Sequence, residues 1–320
     1  PIHRLDFQAR IGVHARAGCR SQGARFHSPN TTQPLSLSTD KAPEAPVRIG
    51  LIAGGLSLPL EVMRLLRAGG SQELIVVAFE GETNPQVVEQ ADQSTWLKVG
   101  QLGKMIRFFK DHGVDQCVMA GRIAPKNLFD VKPDLRAAAL LFRLKERNAH
   151  TLFGGIGQEL AKDGIQLIEA VPWLGPIMPG EGYRAGAKVA PPILEDVSFG
   201  YRIAKEVSRI EIGQSVVVKQ GTVLAVEGFE GTDACLHRGG ELAGRKGGAV
   251  GIKVAKAQHD MRFDIPCIGL TTIEHCLSCG FRALAFEPGK IILLEKDRIE
   301  ARLSREPFTL LAVPAAAASA

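Results

Sequence analysis

The side chains best suited to chemistry on a charged ligand gather in three short stretches of the second half of the chain. EGFEGTDA (227–234) places Glu227, Glu230 and Asp233 within seven residues, separated by glycines and one threonine. KVAKAQHDMRFDIP (253–266) holds Lys253, Lys256, Arg262 and Asp264, and TTIEH (271–275) adds a further acid and a histidine. Asp233 and Asp264, brought together from neighbouring strands, would offer the hard oxygen ligands that magnesium prefers. Lys253, Lys256 and Arg262 would supply fixed cations for a phosphate chain. Plainer roles exist for each. Thr232 or Asp233 can cap the helix that begins DACLHR. Asp264 can pair with Arg262, two residues earlier on the same face of a strand. The residues alone leave both readings open.

The first half offers backbone rather than side chains. GLIAGGLSLP (50–59) follows an apolar run and opens a helix, so bare backbone at Gly54 and Gly55, with Leu58 behind them, could bring peptide N–H groups close to phosphate oxygens. The stretch is neither GxGxxG nor a P-loop, and an ordinary tight turn accounts for it equally. VGQLGK (99–104), with Gly103 and Lys104, and AGRIAP (120–125), with Gly121 and Arg122, stand at the next strand ends. Parallel sheets hold ligands at those ends, although a single Lys or Arg is more often just a solvated surface group.

The elements that must position these residues follow from hydrophobic period. VRIGLIA (47–53), ELIVVAFEG (73–81) and VDQCVMAGR (114–122) read as strands. Between them, apolar residues at 102, 105, 106 and 109 mark one face of a helix ending at Gly113. The spacing predicts helices over 134–146 and 150–163 and a strand over 165–170. Strands alternating with helices predict an α/β fold whose first domain is a Rossmann-like parallel sheet. Beyond the Gly/Pro-rich stretch 171–192 the style changes: a helix over 195–209, a hairpin turning near Lys219–Gly221, strands over 249–257 and 265–270, and a second hairpin over 283–296 turning at Pro288–Gly289. This predicts a smaller mixed α/β domain with hairpins. The expected organisation is an N-terminal extension over 1–46, a Rossmann-like domain over 47–180, a linker over 181–192, a catalytic α/β domain over 193–313 and a tail over 314–320.

Composition narrows the class. The net charge of +5 is largely local, since residues 1–46 hold six Lys/Arg against three acids and leave +2 over 47–320. No clustered basic face emerges, which sets nucleic acid aside as a partner. The 1–46 stretch is Arg- and Ser-rich without sustained hydrophobic period, the composition of a disordered or non-native extension. No apolar run approaches the roughly 20 residues that cross a bilayer. Cys276 and Cys279 form the lone CxxC, and packing on an amphipathic helix accounts for them better than half a metal site. GxSxG, HExxH and a glutamate-rich Nudix-type helix are absent, which removes the common hydrolytic motifs.

Taken in order, RIGLIAGGLSLP, VGQLGK, EIGQSVVVKQGTVLAVEGFEGTDA and KVAKAQHDMRFDIPCIGLTTIEH closely resemble the UDP-2,3-diacylglucosamine pyrophosphatases of lipid A biosynthesis, in the branch unrelated to calcineurin-type phosphoesterases. The resemblance covers about 47–313. It implies a two-domain build holding substrate between the domains, and magnesium-dependent hydrolysis of a UDP-linked diacylated glucosamine to UMP and the sugar 1-phosphate. The family's essential aspartate, in an R-x-D-x-P motif, falls on Asp264, and its EGTDA acids fall on Glu230 and Asp233. Asp264, Asp233, Lys253, Lys256 and Arg262 are thus the expected catalytic residues, with Asp233 and Asp264 as the magnesium ligands. Gly54, Gly55, Leu58, Gly103, Lys104, Gly121, Arg122, Glu230, Gly231 and Thr232 are the expected substrate contacts. The resemblance also implies a cytoplasmic enzyme at the inner-membrane surface, and it allows a homodimer. The AAALLFRL helix (137–144) could line a groove for acyl chains or belong to plain core.

Two departures weigh the other way. A Gly-Asp-Asp stretch of many relatives is replaced around Arg147-Asn148-Ala149-His150, and K-P-x-Q-D by Lys256-Ala257-Gln258-His259-Asp260. A non-catalytic nucleotide- or lipid-binding protein is therefore one rival. A nucleotide-dependent oxidoreductase is another, but Glu80 and Glu82 lie 26 and 28 residues past Gly54, a poor match to the acid such a site needs about 20 residues on.

Overall fold

The computed structural model describes residues 46–123, 132–144, 149–256, 260–263 and 265–313, all within one compact unit, Lys41–Ala320. Asp264, residues 145–148 and 257–259, and nearly all of the expected N-terminal extension and C-terminal tail lie outside the described residues.

Two sheets organise the fold. The first is wholly parallel, in the order β3-β2-β1-β4-β5, built from β1 (Arg48–Ala53), β2 (Glu73–Phe79), β3 (Gln93–Leu97), β4 (Gln116–Ala120) and β5 (Gln166–Leu167). β1 and β2 are near-continuous apolar runs because helices cover both of their faces. α1 (Leu58–Ala68) and α2 (Pro85–Glu89) connect β1 to β2 and β2 to β3. α3 (Leu102–Asp111) buries Leu102, Met105, Ile106 and Phe109, the face its spacing predicts. The strand order reverses between β1 and β4, so the switch point of the sheet lies where Gly54–Gly55 meets Gly121–Arg122.

The second sheet is mixed, in the order β6-β13-β11-β9-β7-β8. β9 (Val250–Lys253), β11 (Ala283–Phe286) and β13 (Thr309–Ala312) run parallel, while β6 (Arg184–Gly186), β7 (Ser215–Lys219) and β8 (Thr222–Val226) complete it antiparallel. β6 lies in the stretch expected to be linker and pairs with β13. β7 and β8 form the expected hairpin. Its two turn residues have positive φ, 49° at Gln220 and 70° at Gly221, as a tight hairpin demands. Their amides are held at 2.8 Å by the buried carboxylate of Asp196, on α6 (Pro191–Arg209).

The second expected hairpin, over 283–296, is not one. β11 pairs in parallel with β9 and β13, and β12 (Ile292–Leu293) leaves to pair in parallel with β10 (Cys267–Ile268) in a separate two-stranded sheet. A Pro-Gly between two apolar runs fixes a turn but not the partner of either run. β10 and β12 also tie the two halves together. Ile292 packs in the core of the first sheet with Met261, Ile265, Cys267 and Leu294 against it.

On the outer side of the first sheet, α4 (Leu135–Arg143) and α5 (Ala149–Lys162) pack beside α3. Asp134 caps α4 through the Ala137 amide, at 2.9 Å. Glu159, only 4% exposed, accepts hydrogen bonds from Lys162, Arg136 and Arg143 and joins the two helices. The Lys162 ammonium and both guanidiniums hold its carboxyl down at about 2, from an ordinary 4.5. A carboxyl held down in the fold stabilises it above the ordinary value and loses that contribution as pH falls toward the folded one. Urea unfolding of the wild type should therefore show stability falling between about pH 4.5 and about pH 2, with a shallower fall in Glu159→Gln. At neutral pH, Glu159→Ala should cost about 1–2 kcal/mol, because it removes charge-assisted hydrogen bonds to three cations that remain partly solvated.

Candidate functional site

Three residues stand in a row at the carboxyl edge of the second sheet's parallel core. Ser215 opens β7 and is the register partner of Lys253, the last residue of β9. Glu227 follows β8 and donates its amide to the Ser215 carbonyl at 2.9 Å. All three are buried, Ser215 at 1% exposure and Lys253 and Glu227 at 6% each. Thr232, the first residue of α7 (Thr232–Leu242), meets them with one hydroxyl. Lys253 Nζ donates to Thr232 Oγ1 at 3.1 Å, Thr232 donates to Glu227 Oε1 at 3.1 Å, and Ser215 Oγ lies 3.3 Å away. A hydroxyl has one proton and two lone pairs, so this arrangement uses all of them. Lys253 Nζ also donates to the Cys267 carbonyl at 2.9 Å.

Glycine makes that placement possible. Gly231 is the N-cap of α7 with φ 86°, a left-handed conformation that only glycine adopts without cost. Neither Thr232 nor Asp233 caps the helix, contrary to the plainer expectation. Both lie inside its first turn, which receives no side-chain cap. Asp233 Oδ1 accepts from Thr272 Oγ1 at 2.9 Å, on α8 (Leu270–Ser278). Its Oδ2 lies 4.0 Å from His275 Nδ1, beyond hydrogen-bonding range, and that buried nitrogen has no hydrogen-bond partner among the described residues. Glu230 turns the other way. It accepts from the Gly228 amide at 3.0 Å and pairs with Arg238. Its carboxyl is held below the usual range by its own backbone amide and by Arg238.

The other expected residues are placed unevenly. Arg262 is bound in a fork to Asp260, through Nε–Oδ1 at 2.8 Å and through Nη2–Oδ2, which raises its pKa further. Its partner is thus Asp260, two residues earlier, and its guanidinium is largely committed. Lys256 is half-buried and makes no hydrogen bond or ion pair among the described residues. Asp264 lies outside them. On either side of it, Phe263 stacks on Phe153 of α5 with ring centroids 5.4 Å apart, and Ile265 packs on the first core. The segment carrying the R-x-D-x-P motif is thereby anchored on the first domain, while Cys267 begins β10 and accepts from Lys253.

The first-domain loops differ from the expectation. Gly54 N donates to the Ala120 carbonyl at 2.8 Å and Gly55 N to the Arg122 carbonyl at 2.7 Å. Both amides expected to meet phosphate are spent on the neighbouring loop. A Cβ at Gly54 would lie 2.8 Å from the Gly121 carbonyl carbon, and one at Gly121 would lie 2.6 Å from the Gly55 oxygen. The glycines serve close approach of two loops, which also weakens the dinucleotide reading. Leu58 is buried in the core and offers no side chain to a ligand. Gly103 N donates to Asp134 at 2.7 Å, so that amide is occupied as well. Lys104 and Arg122 are exposed.

The sequence matches the profile of the LpxI N-terminal domain over residues 48–176 and that of the LpxI C-terminal domain over 180–311. The chain belongs to the LpxI family. It is similar to a protein of Caulobacter vibrioides named UDP-2,3-diacylglucosamine pyrophosphatase LpxI, 28% identical over 261 residues that cover 79% of this chain and 92% of that protein. Among solved structures, the biotin carboxylase domain of 2-oxoglutarate carboxylase from Hydrogenobacter thermophilus aligns with 61% of this chain and 41% of that chain. Its 15% identity and TM-score of 0.24 carry no argument.

Set in the LpxI fold, the residue that sequence reasoning passes over is Ser215, while Glu227 stands out as an acid but is given no role. Glu227 follows the period of β8 and reads as structural, and the opening serine of a strand carries no signal of its own. The clue lay in register, which pairs Ser215 with Lys253 and sets Glu227 beside it. If the Thr232 hydroxyl is the hub, Thr232→Val should destabilise the fold by roughly 2 kcal/mol, since both Lys253 and Glu227 lose a buried partner. Thr232→Ser should keep most of that stability. Urea unfolding of the two variants beside the wild type checks it, and equal midpoints would refute the hub.

Proposed function

We propose that this chain hydrolyses the diphosphate of UDP-2,3-diacylglucosamine, giving UMP and 2,3-diacylglucosamine 1-phosphate in lipid A biosynthesis. The observation that carries this reading is the match of both family domains, joined to a relative named for that pyrophosphatase and covered over 92% of its length. The site geometry supports it. Hydrolysis of a diphosphate concentrates negative charge at phosphoryl oxygens, and fixed cations in a partly dry site stabilise that charge without reorganising. Lys253 is such a cation, held at a strand end by Thr232 and Cys267. Lys256, three residues on, is half-buried and adds a second. The uncapped first turn of α7 adds the partial positive charge of a helix N-terminus.

In the reaction a water oxygen bonds to phosphorus as the bridging P–O bond breaks, and the two phosphates leave on separate products. Asp233, with Oδ1 fixed by Thr272, is suited to orient that water or accept its proton, and Asp264 is the second such acid. Among the described residues no group of three or more His, Cys, Asp or Glu could hold a metal ion. Magnesium needs no such cage, because one or two carboxylates and the substrate phosphates suffice. Asp233 fits that demand, with one oxygen free of hydrogen bonds among the described residues. Asp233 and Asp264 would hold the ion, whose charge would offset that of the diphosphate. No described helix is long and apolar enough to cross a membrane, and a diacylated substrate supports action at the cytoplasmic surface of the inner membrane.

Purified protein incubated with UDP-2,3-diacylglucosamine and magnesium should release UMP. Asp264→Ala and Lys253→Ala should each lower kcat by at least about a hundredfold. A chelator should stop release and added magnesium should restore it. No UMP from the wild type would sink the hydrolase reading, and full turnover in chelator would sink the metal.

A further inference from the structure

Helix α4 is apolar on two opposite faces. Ala137 and Leu140 point into the core between the first sheet and α5. On the other side Leu135 is 93% exposed and Phe142 89%, with exposed Ala138 and Ala139 between them. Positions 135, 138, 139 and 142 fall within about 100° of arc on a 3.6-residue helix, where an ordinary surface helix carries charge. Scattered exposed leucines are normal, but an aligned Leu–Ala–Ala–Phe stripe marks a surface with a partner.

The charge around the stripe identifies the partner. Most of the nearby carboxylates are occupied: Glu159 by Arg136, Arg143 and Lys162, Asp163 by Lys110 and Arg136, and Asp134 by backbone amides, which leaves exposed Asp111 as the one unoccupied acid of the groove against several cations among the described residues. Lys104, Arg107 and Lys132 are exposed and have no carboxylate partner among the described residues. Lys104, Arg107 and Leu135 border one groove between α3 and α4. Exposed apolar side chains rimmed by unpaired cations suit an interface of acyl chains beneath anionic headgroups. Self-association through the same face would set these cations against their own copies, because a two-fold interface presents the same patch twice.

We propose that the outer face of α4 docks the protein on an anionic lipid bilayer, with Leu135 and Phe142 entering the interface and Lys104, Arg107 and Lys132 meeting the headgroups. This deepens the placement at the membrane surface proposed above and rests on it. The face lies on the first domain, outside the Lys253–Thr232 cluster, so docking and turnover are separable measurements.

The test is co-sedimentation of the full chain with vesicles of phosphatidylethanolamine and phosphatidylglycerol, beside vesicles of phosphatidylcholine alone. The wild type should bind the anionic vesicles and lose binding as salt rises. Leu135→Glu with Phe142→Glu should weaken binding more than about tenfold, with an unchanged thermal midpoint. Should that pair unfold the chain, Leu135→Ala with Phe142→Ala carries the same test with a smaller loss. Arg107→Gln and Lys132→Gln should each weaken it by about fivefold, the worth of one cation at a charged surface. Equal binding by the apolar variants, equal binding to neutral vesicles, or no binding by the wild type would overturn the proposal. So would a dimer in light scattering that the apolar variants dissolve. UMP release from detergent-dispersed substrate, measured in parallel, separates a failure of docking from a failure of the hydrolase reading.

Discussion

An ammonium group buried at a strand end needs acceptors, because taking a charge out of water costs several kcal/mol unless hydrogen bonds replace the solvent. That constraint at Lys253 organises much of the second domain. Its acceptors include the Thr232 hydroxyl and the Cys267 carbonyl. Thr232 reaches it because Gly231 takes a left-handed turn that starts α7 over the sheet edge. Cys267 reaches it because β10 pairs with β12 away from the main sheet. Glu227 then has a role that a buried carboxylate needs. It accepts the Thr232 proton, which orients the hydroxyl's lone pairs toward Lys253 and Ser215.

The buried polar groups beyond this cluster repeat the same logic. Glu287 follows β11, sits 6% exposed, accepts from the Ala255 amide at 3.0 Å and binds Lys205 through both oxygens at 3.1 Å. It steadies the chain just past Lys253, whose carbonyl accepts the Glu287 amide at 3.0 Å. Two carboxylates, Glu227 and Glu287, thus bracket the end of β9.

Much of this was legible in residue order, and the part that was not has physical causes. Period revealed the parallel sheet, because β1, β2 and β4 are apolar runs and α3 has one clear buried face. It revealed the β7–β8 hairpin, because Lys219-Gln220-Gly221 leaves little choice of turn. It failed for 283–296, since pairing is decided by which edges the rest of the sheet leaves open. At the site, residue type pointed to Lys253, Thr232 and Asp233 but not to the contacts that hold them. Thr232 has no hydrogen-bonding capacity left for substrate, and the Gly54 and Gly55 amides are spent inside the loop pair. Arg262 is committed to Asp260, a partner the spacing did not single out. Saturation of a donor or acceptor depends on partners remote in sequence, which spacing cannot reveal.

EGFEGTDA shows how far neighbours divide like residues. Its three carboxylates stand within seven positions and have three fates. Glu227 is buried and accepts from Thr232. Glu230, out in the loop, is closed off by Gly228 and Arg238, which hold it ionised and turned away from Lys253. Asp233 lies in the first turn of α7, where the helix field favours its negative charge, and Thr272 fixes one oxygen while the other, 4.0 Å from His275 Nδ1, makes no hydrogen bond among the described residues. An acid that is oriented but not saturated is the one a reaction can use, so Asp233 alone among the three meets the requirement. The glycines between them make the division possible. Gly231, with φ 86°, lets the backbone turn into α7, so that Glu230 and Asp233 part company within three residues.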